Sequence, residues 1–190
     1  MRPVQIIQSA SALLAAIVIT FLQPQREQIG VLIIGTYGLL IVAFGFAASH
    51  VVTAILQKRR RAYIANGVAL IFFTYIISAC FNQLPMMQAH LFEDRPAGAD
   101  NTFDLMAFGL LATFFLFAYG FATLGIALSH RKMGNIFRDN LITAIIMIGF
   151  AVAEFMIPGN GVKWVGFFNA ACILLAVHLG IAAFSPKQNA

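Results

Sequence analysis

Chemistry in an apolar chain has to be sought among the few ionisable side chains set inside its apolar stretches, and three stand out: Glu154, His178 and His50. Such a group is costly in hydrocarbon, so each is a functional candidate by default. Glu154 lies about one turn before Pro158 and reads either as a proton-accepting residue at a mouth or as a carboxylate reaching interfacial water. His50 and His178 carry rings that titrate near neutral pH. Together with His130 they occupy comparable positions on three apolar stretches, which admits haem held by His50 and His178. Axial ligation needs two imidazoles facing across one ring at matched depth. Packed or interfacial histidines explain the same spacing, and the expectation is no cofactor.

Uncharged polar residues add a second signal. Gln5, Gln8, Ser9 and Ser11 fall in the first stretch, Asn66, Thr74 and Ser78 in the third, and Asn169 in the sixth. Gln5, Gln8, Ser9 and Ala12 share one helical face. That stripe either lines a narrow polar path or ties neighbouring helices together by hydrogen bonds. Among nineteen phenylalanines, Phe72, Phe73, Phe114, Phe115 and Phe117 are candidates for an aromatic constriction, for core filling or for lipid contact. No Ser, His and acid set shares one depth, and no phosphate-cradling glycine loop or H-E-x-x-H spacing occurs. Cys80 and Cys172 fall inside apolar stretches and read as small core residues, with no metal. An enzyme is not expected.

The elements that must position these residues are plain. The 190-residue chain is 61% hydrophobic and 10% charged, whereas soluble domains are about 25% charged. Apolar stretches run over about 6–22, 29–56, 63–81, 105–128, 141–157 and 164–184, each long enough for a helix across the bilayer. Their continuity excludes the alternating pattern of a barrel. The prediction is therefore an all-α polytopic membrane protein, a single domain over 1–190 with six transmembrane helices in three hairpins.

Charge sets the orientation. Nine basic residues, including Lys58 to Arg61, Arg131, Lys132 and Arg138, fall in gaps and termini on one side, against Arg26, Arg95 and Lys163 on the other. The positive-inside rule then places both termini in the cytoplasm, in a cell inner membrane. The net charge of +5 follows from that topology, and no nucleic-acid partner is expected. The first helix reads as an uncleaved anchor. Outer connections fall at 23–28, 82–104 and 158–163, with Pro24 and Pro158 stopping helices. Residues 82–104 form the largest, an acidic extracytoplasmic loop fit for binding or for capping.

The even helices carry similar small-residue segments: "AFGFAASH" around Gly45, "AYGFATLGIALSH" around Gly120 and Gly125, and "HLGIAAFS" around Gly180. They suggest a threefold hairpin repeat, and small residues let backbones approach closely. The even helices are therefore expected to form the packed interior or a subunit interface, and the chain to self-associate.

Three segments, "ILQKRRRAYIANGVALIFFTY", "FFLFAYGFATL" and "KWVGFFNAACILLA", give the chain a resemblance to the acetate uptake transporter family. That resemblance implies a homo-oligomer conducting small monocarboxylate anions through each protomer past an aromatic constriction, for which Phe72 is the aligned residue. The chain also resembles HdeD-like acid-resistance membrane proteins, through Pro24 with Gly38 and Gly45 and Pro158 with Gly180. The expected function is a channel or proton-coupled transporter for a small solute such as acetate. Gln8 and Asn66 would offer hydrogen bonds, Phe72 a gate and Glu154 a titratable mouth. A non-enzymatic acid-stress protein, an accessory subunit of a larger membrane complex and a haem-binding electron-transfer protein stay open as alternatives.

Overall fold

Backbone N–H and C=O groups in hydrocarbon must pair within their own segment, which drives each apolar stretch into a helix. The computed structural model contains α1 (Arg2–Phe21), α2 (Gln28–Leu56), α3 (Arg60–Phe92), α4 (Thr102–Ser129), α5 (Gly134–Met156) and α6 (Gly161–Phe184). It describes residues 2–22, 28–56, 60–92, 102–129, 134–156 and 161–184. Pro24, Arg26, Lys58, Arg59, Arg95, His130, Arg131, Lys132, Pro158 and Lys187 lie outside them, as do the side chains of Arg2, Arg60, Arg61 and Asn66. All six helices are long and apolar enough to cross a membrane. The protein is a multi-pass helical membrane protein.

Two boundaries differ most from the sequence reading. The helix α3 continues through Pro85 to Phe92, so of the expected loop over 82–104 only residues 93–101 fall between helices. Proline removes one helical hydrogen bond and tends to end a helix. Here packing overrides that tendency, because Leu84 and Met87 on either side of Pro85 are buried and the Thr36 hydroxyl reaches the Met87 sulfur at 3.7 Å. At the other discrepancy, α5 begins at Gly134 rather than near 141, its polar first turns closed by Asn140 donating to the Ile136 carbonyl.

Successive helices run antiparallel and close a ring, with α1 meeting both α2 and α6. Inside the ring α2, α4 and α6 also touch one another, whereas among the described residues no odd helix touches another odd helix. Burial follows the same division. In the membrane-spanning window, 61% of α2 is buried and only 22% of α5. The even helices form an inner parallel triangle and the odd helices a lipid-facing outer layer.

Small residues permit these approaches. A Cβ at Gly45 would collide with the Ser11 side chain of α1; at Gly120 it would lie 2.7 Å from Ile148 of α5, and at Gly180, 3.3 Å from the Ser9 hydroxyl of α1. Gly125 corrects the packing expectation, since a Cβ there would meet nothing within 4 Å. The similar segments also pack differently. Gly45 faces the odd helix of its own hairpin, whereas Gly120 and Gly180 face an odd helix of another hairpin.

The inner space is filled. Phe46, Phe73, Phe108, Phe115, Phe168 and Tyr119 are buried almost completely, and Phe115 meets Phe46, Phe73 and Phe168 at ring distances of 5.8, 5.6 and 6.1 Å. These contacts are edge-on or tilted, as the ring quadrupoles favour.

Candidate functional site

Two groups of buried polar side chains flank this aromatic layer. The first lies toward the end that carries the start of α1 and the end of α6. Gln8 is six residues into α1 and His50 six residues from the end of α2, which puts both about 9 Å inside their helix ends. Gln8 Nε2 donates to Ser49 Oγ at 2.8 Å, and Ser49 Oγ donates to the Phe46 carbonyl at 2.7 Å. The Gln8 side chain also faces the Tyr119 hydroxyl of α4. The His50 ring packs between Phe73 and Tyr119, at 5.5 and 5.9 Å. Thr53 and Thr123 turn inward as well, each donating back to the carbonyl four residues earlier. Next to Gln8, Ser9 Oγ donates to the Ala176 carbonyl of α6 at 2.7 Å. The polar stripe of α1 thus ties together three helices, and each hydroxyl has a partner, as polar groups in hydrocarbon require.

The second group lies at the opposite end, where α4, α5 and α6 meet. Glu154 is two residues from the end of α5 and 2% exposed. Its carboxyl faces Thr113 of α4, but neither oxygen has a hydrogen bond of good geometry. Trp164, in the first turn of α6, lays its ring on Gly109 of α4, where a Cβ would be 2.6 Å from the indole. The indole Nε1 is buried without a hydrogen-bond partner. Gly109 and Thr113 are four residues apart and so occupy one face of α4, on adjacent turns. The Glu154 carboxyl and the Trp164 ring therefore lie over the same strip of helix.

The residues expected to form one path are not gathered together. Gln8 belongs to the first group and Glu154 to the second; the Asn66 side chain is outside the described residues. Phe72 is half-buried and pairs with Phe114 at 5.4 Å toward the periphery, beside exposed Tyr75. The aromatic layer between the two groups is built instead from Phe73 and Phe115. One position along a helix rotates a side chain by about 100°, which is the whole difference between Phe72 and Phe73.

The histidines do not face one another. His50 meets rings on α3 and α4, whereas His178 Nε2 donates to the Asp139 carbonyl of α5 at 3.1 Å. That arrangement does not fit axial ligation of one haem. Among the described residues there is no group of three potential metal ligands.

Sequence reasoning missed Ser49, Thr113, Tyr119 and Trp164 as partners of this chemistry. Ser49 adjoins His50, and Trp164 is the sole tryptophan. Those are slender signals, because residue type alone does not give the facing helix. No protein-family model, curated protein or solved structure matches this chain. The functional reading rests on the side chains themselves, within a polytopic helical membrane protein.

Proposed function

We propose that the protein is a proton-coupled transporter or channel for a small solute such as acetate or another monocarboxylate, self-associating in the inner membrane with both termini in the cytoplasm. The observation that carries this reading is Glu154, a buried carboxyl without a hydrogen bond of good geometry inside a membrane-spanning segment. A protein that needed only to pack would gain by replacing it with an apolar residue. The aromatic layer supports the same reading. Phe73 and Phe115 separate the carboxyl from the Gln8, Ser49, His50 and Tyr119 cluster, so polar groups lie on both sides of a hydrophobic closure, as in a gated path at rest. Opening would need these rings to swing aside.

The test is uptake of radiolabelled acetate into liposomes containing the purified protein, with and without an inward proton gradient, corrected for leakage of undissociated acid. Saturable, gradient-driven flux in the wild type that loses its pH dependence in Glu154→Gln is the expected result. Absence of flux from folded, correctly inserted protein would refute the reading and favour an accessory or stress role.

A further inference from the structure

The geometry points to a small-carboxylate binding site at the meeting of α4, α5 and α6, in which Trp164, Thr113 and the acid form of Glu154 supply three hydrogen-bond donors and Glu154 takes up one proton as the anion binds. This rests on the transport reading above and adds where the solute binds and why a proton accompanies it.

Two independent observations converge there. Glu154 is 2% exposed, and beside the Thr113 hydroxyl neither of its oxygens has a hydrogen bond of good geometry. One turn further along the same face of α4 rests the six-membered ring of Trp164, whose indole Nε1–H is buried and also unpartnered. Buried donors and acceptors are nearly always paired, so two orphans on adjacent turns mark a place where a third molecule completes the set. Gly109 is what brings the indole down onto α4, since any side chain there would strike Trp164.

The surroundings favour an anion. Trp164 belongs to the first turn of α6, where backbone N–H groups are left without helical partners and the helix dipole is positive. Lys163, exposed at the start of α6, is the neighbouring charged residue of that helix. Among the described side chains of α4, the ionisable one is Tyr119, about 9 Å further along the helix axis and in the other polar cluster; Asp104, in the first turn of that helix, has its side chain outside the described residues. The other charged groups of α5, Arg138 and Asp139, belong to its opposite end.

The donor set then dictates the coupling. A carboxylate ligand beside an ionised Glu154 would meet a like charge at close range, whereas protonated Glu154 offers it an O–H donor. Binding therefore consumes a proton from solution wherever Glu154 starts ionised: the anion enters with its charge, the proton goes onto the Glu154 carboxyl, and the occupied site gains no net charge; to cross the hydrophobic layer the ligand takes that proton, moves as the neutral acid and leaves Glu154 ionised again.

Because Trp164 is the chain's sole tryptophan, its emission reports the site directly. Acetate should change that emission saturably in purified protein, with affinity falling about tenfold per pH unit once Glu154 is ionised. Calorimetry of acetate binding in two buffers of different ionisation enthalpy, at a pH where Glu154 of the empty site is ionised, should register uptake of about one proton in the wild type and none in Glu154→Gln, which keeps a donor in place. Trp164→Phe, which keeps the aromatic packing, should weaken acetate about tenfold or more, as expected for losing a hydrogen bond to a charged group. Saturable acetate binding that is unchanged in Trp164→Phe and takes up no proton would overturn the site while leaving measured flux, and so the transport reading, intact. A wild-type protein that transports acetate without any response at Trp164 would overturn it equally. A folded protein that binds no acetate would reduce Glu154 to a counter-charge for the α6 N-terminus.

Discussion

Phe72 and Phe73 are adjacent, chemically identical and differently placed, which makes them a direct test of the packing described above. Phe73 is 0% exposed and surrounded by Phe46, Phe115, Tyr119 and His50. Phe73→Ala opens a hole of roughly 100 Å³, and at about 24 cal/mol per Å³ such a cavity costs about 2.4 kcal/mol. A transfer term, usual in water-soluble cores, drops out, because lipid tails are as apolar as the side chain and the unfolded reference stays in the membrane. Phe72 has one principal ring partner, Phe114, itself 39% exposed, so lipid can occupy the space that Phe72→Ala vacates. Its cost should not exceed the aromatic pairing energy of about 1 kcal/mol. Unfolding of the detergent-solubilised protein with increasing dodecyl sulfate, followed by circular dichroism, gives both values on one scale. Equal destabilisation by the two substitutions, or a cost near zero for Phe73→Ala, would refute the placement.

Other outcomes follow from the same contacts. Gly45→Ala forces a Cβ into Ser11 and should cost about 1–3 kcal/mol by overpacking, whereas Gly125→Ala, with open space around it, should change stability by less than about 0.5 kcal/mol in the same assay. Gly109→Ala pushes the Trp164 ring off α4 and should move tryptophan emission to longer wavelength as the indole nears the interface, while an unmoved spectrum would show that the ring does not rest there. A double-mutant cycle on Gln8→Leu and Ser49→Ala should give a coupling of about 0.6 kcal/mol, the usual size of an interhelical hydrogen bond in membranes. Glu154→Gln should flatten the pH dependence of acetate uptake while leaving expression and helical content unchanged, and a retained pH profile would remove Glu154 from coupling.

The helices were legible because their cause is local: continuous apolar runs of membrane length leave the backbone few alternatives. The interior role of the even helices was legible too, through the small residues around Gly45, Gly120 and Gly180. What the chain did not declare is direction around each helix when both faces are apolar. The segment of α4 around Phe114 to Phe117 is hydrophobic on every side, so nothing local distinguishes Phe115, which fills the centre, from Phe114, which leans outward. The extension of α3 past Pro85 was hidden for a related reason, since the contacts that hold it are supplied by α2, some fifty positions earlier. Glu154 was legible as an ionisable residue in an apolar setting, but its neighbours Thr113 and Trp164 are ordinary residues made relevant by where α4 passes.

The seam between α1 and α6 carries a consequence for biogenesis. Ser9 donates to Ala176 across 167 residues, and Gly180 fits against the same serine. At about 5–20 residues per second, the ribosome delivers that partner roughly 8–33 s after Ser9 has been made. The first helix must wait in the bilayer with part of its polar stripe unanswered until the last one arrives. Any chain cut short before α6 would leave an open bundle, with the serine hydroxyl turned toward lipid, and ring closure makes the final helix the checkpoint for the whole protein.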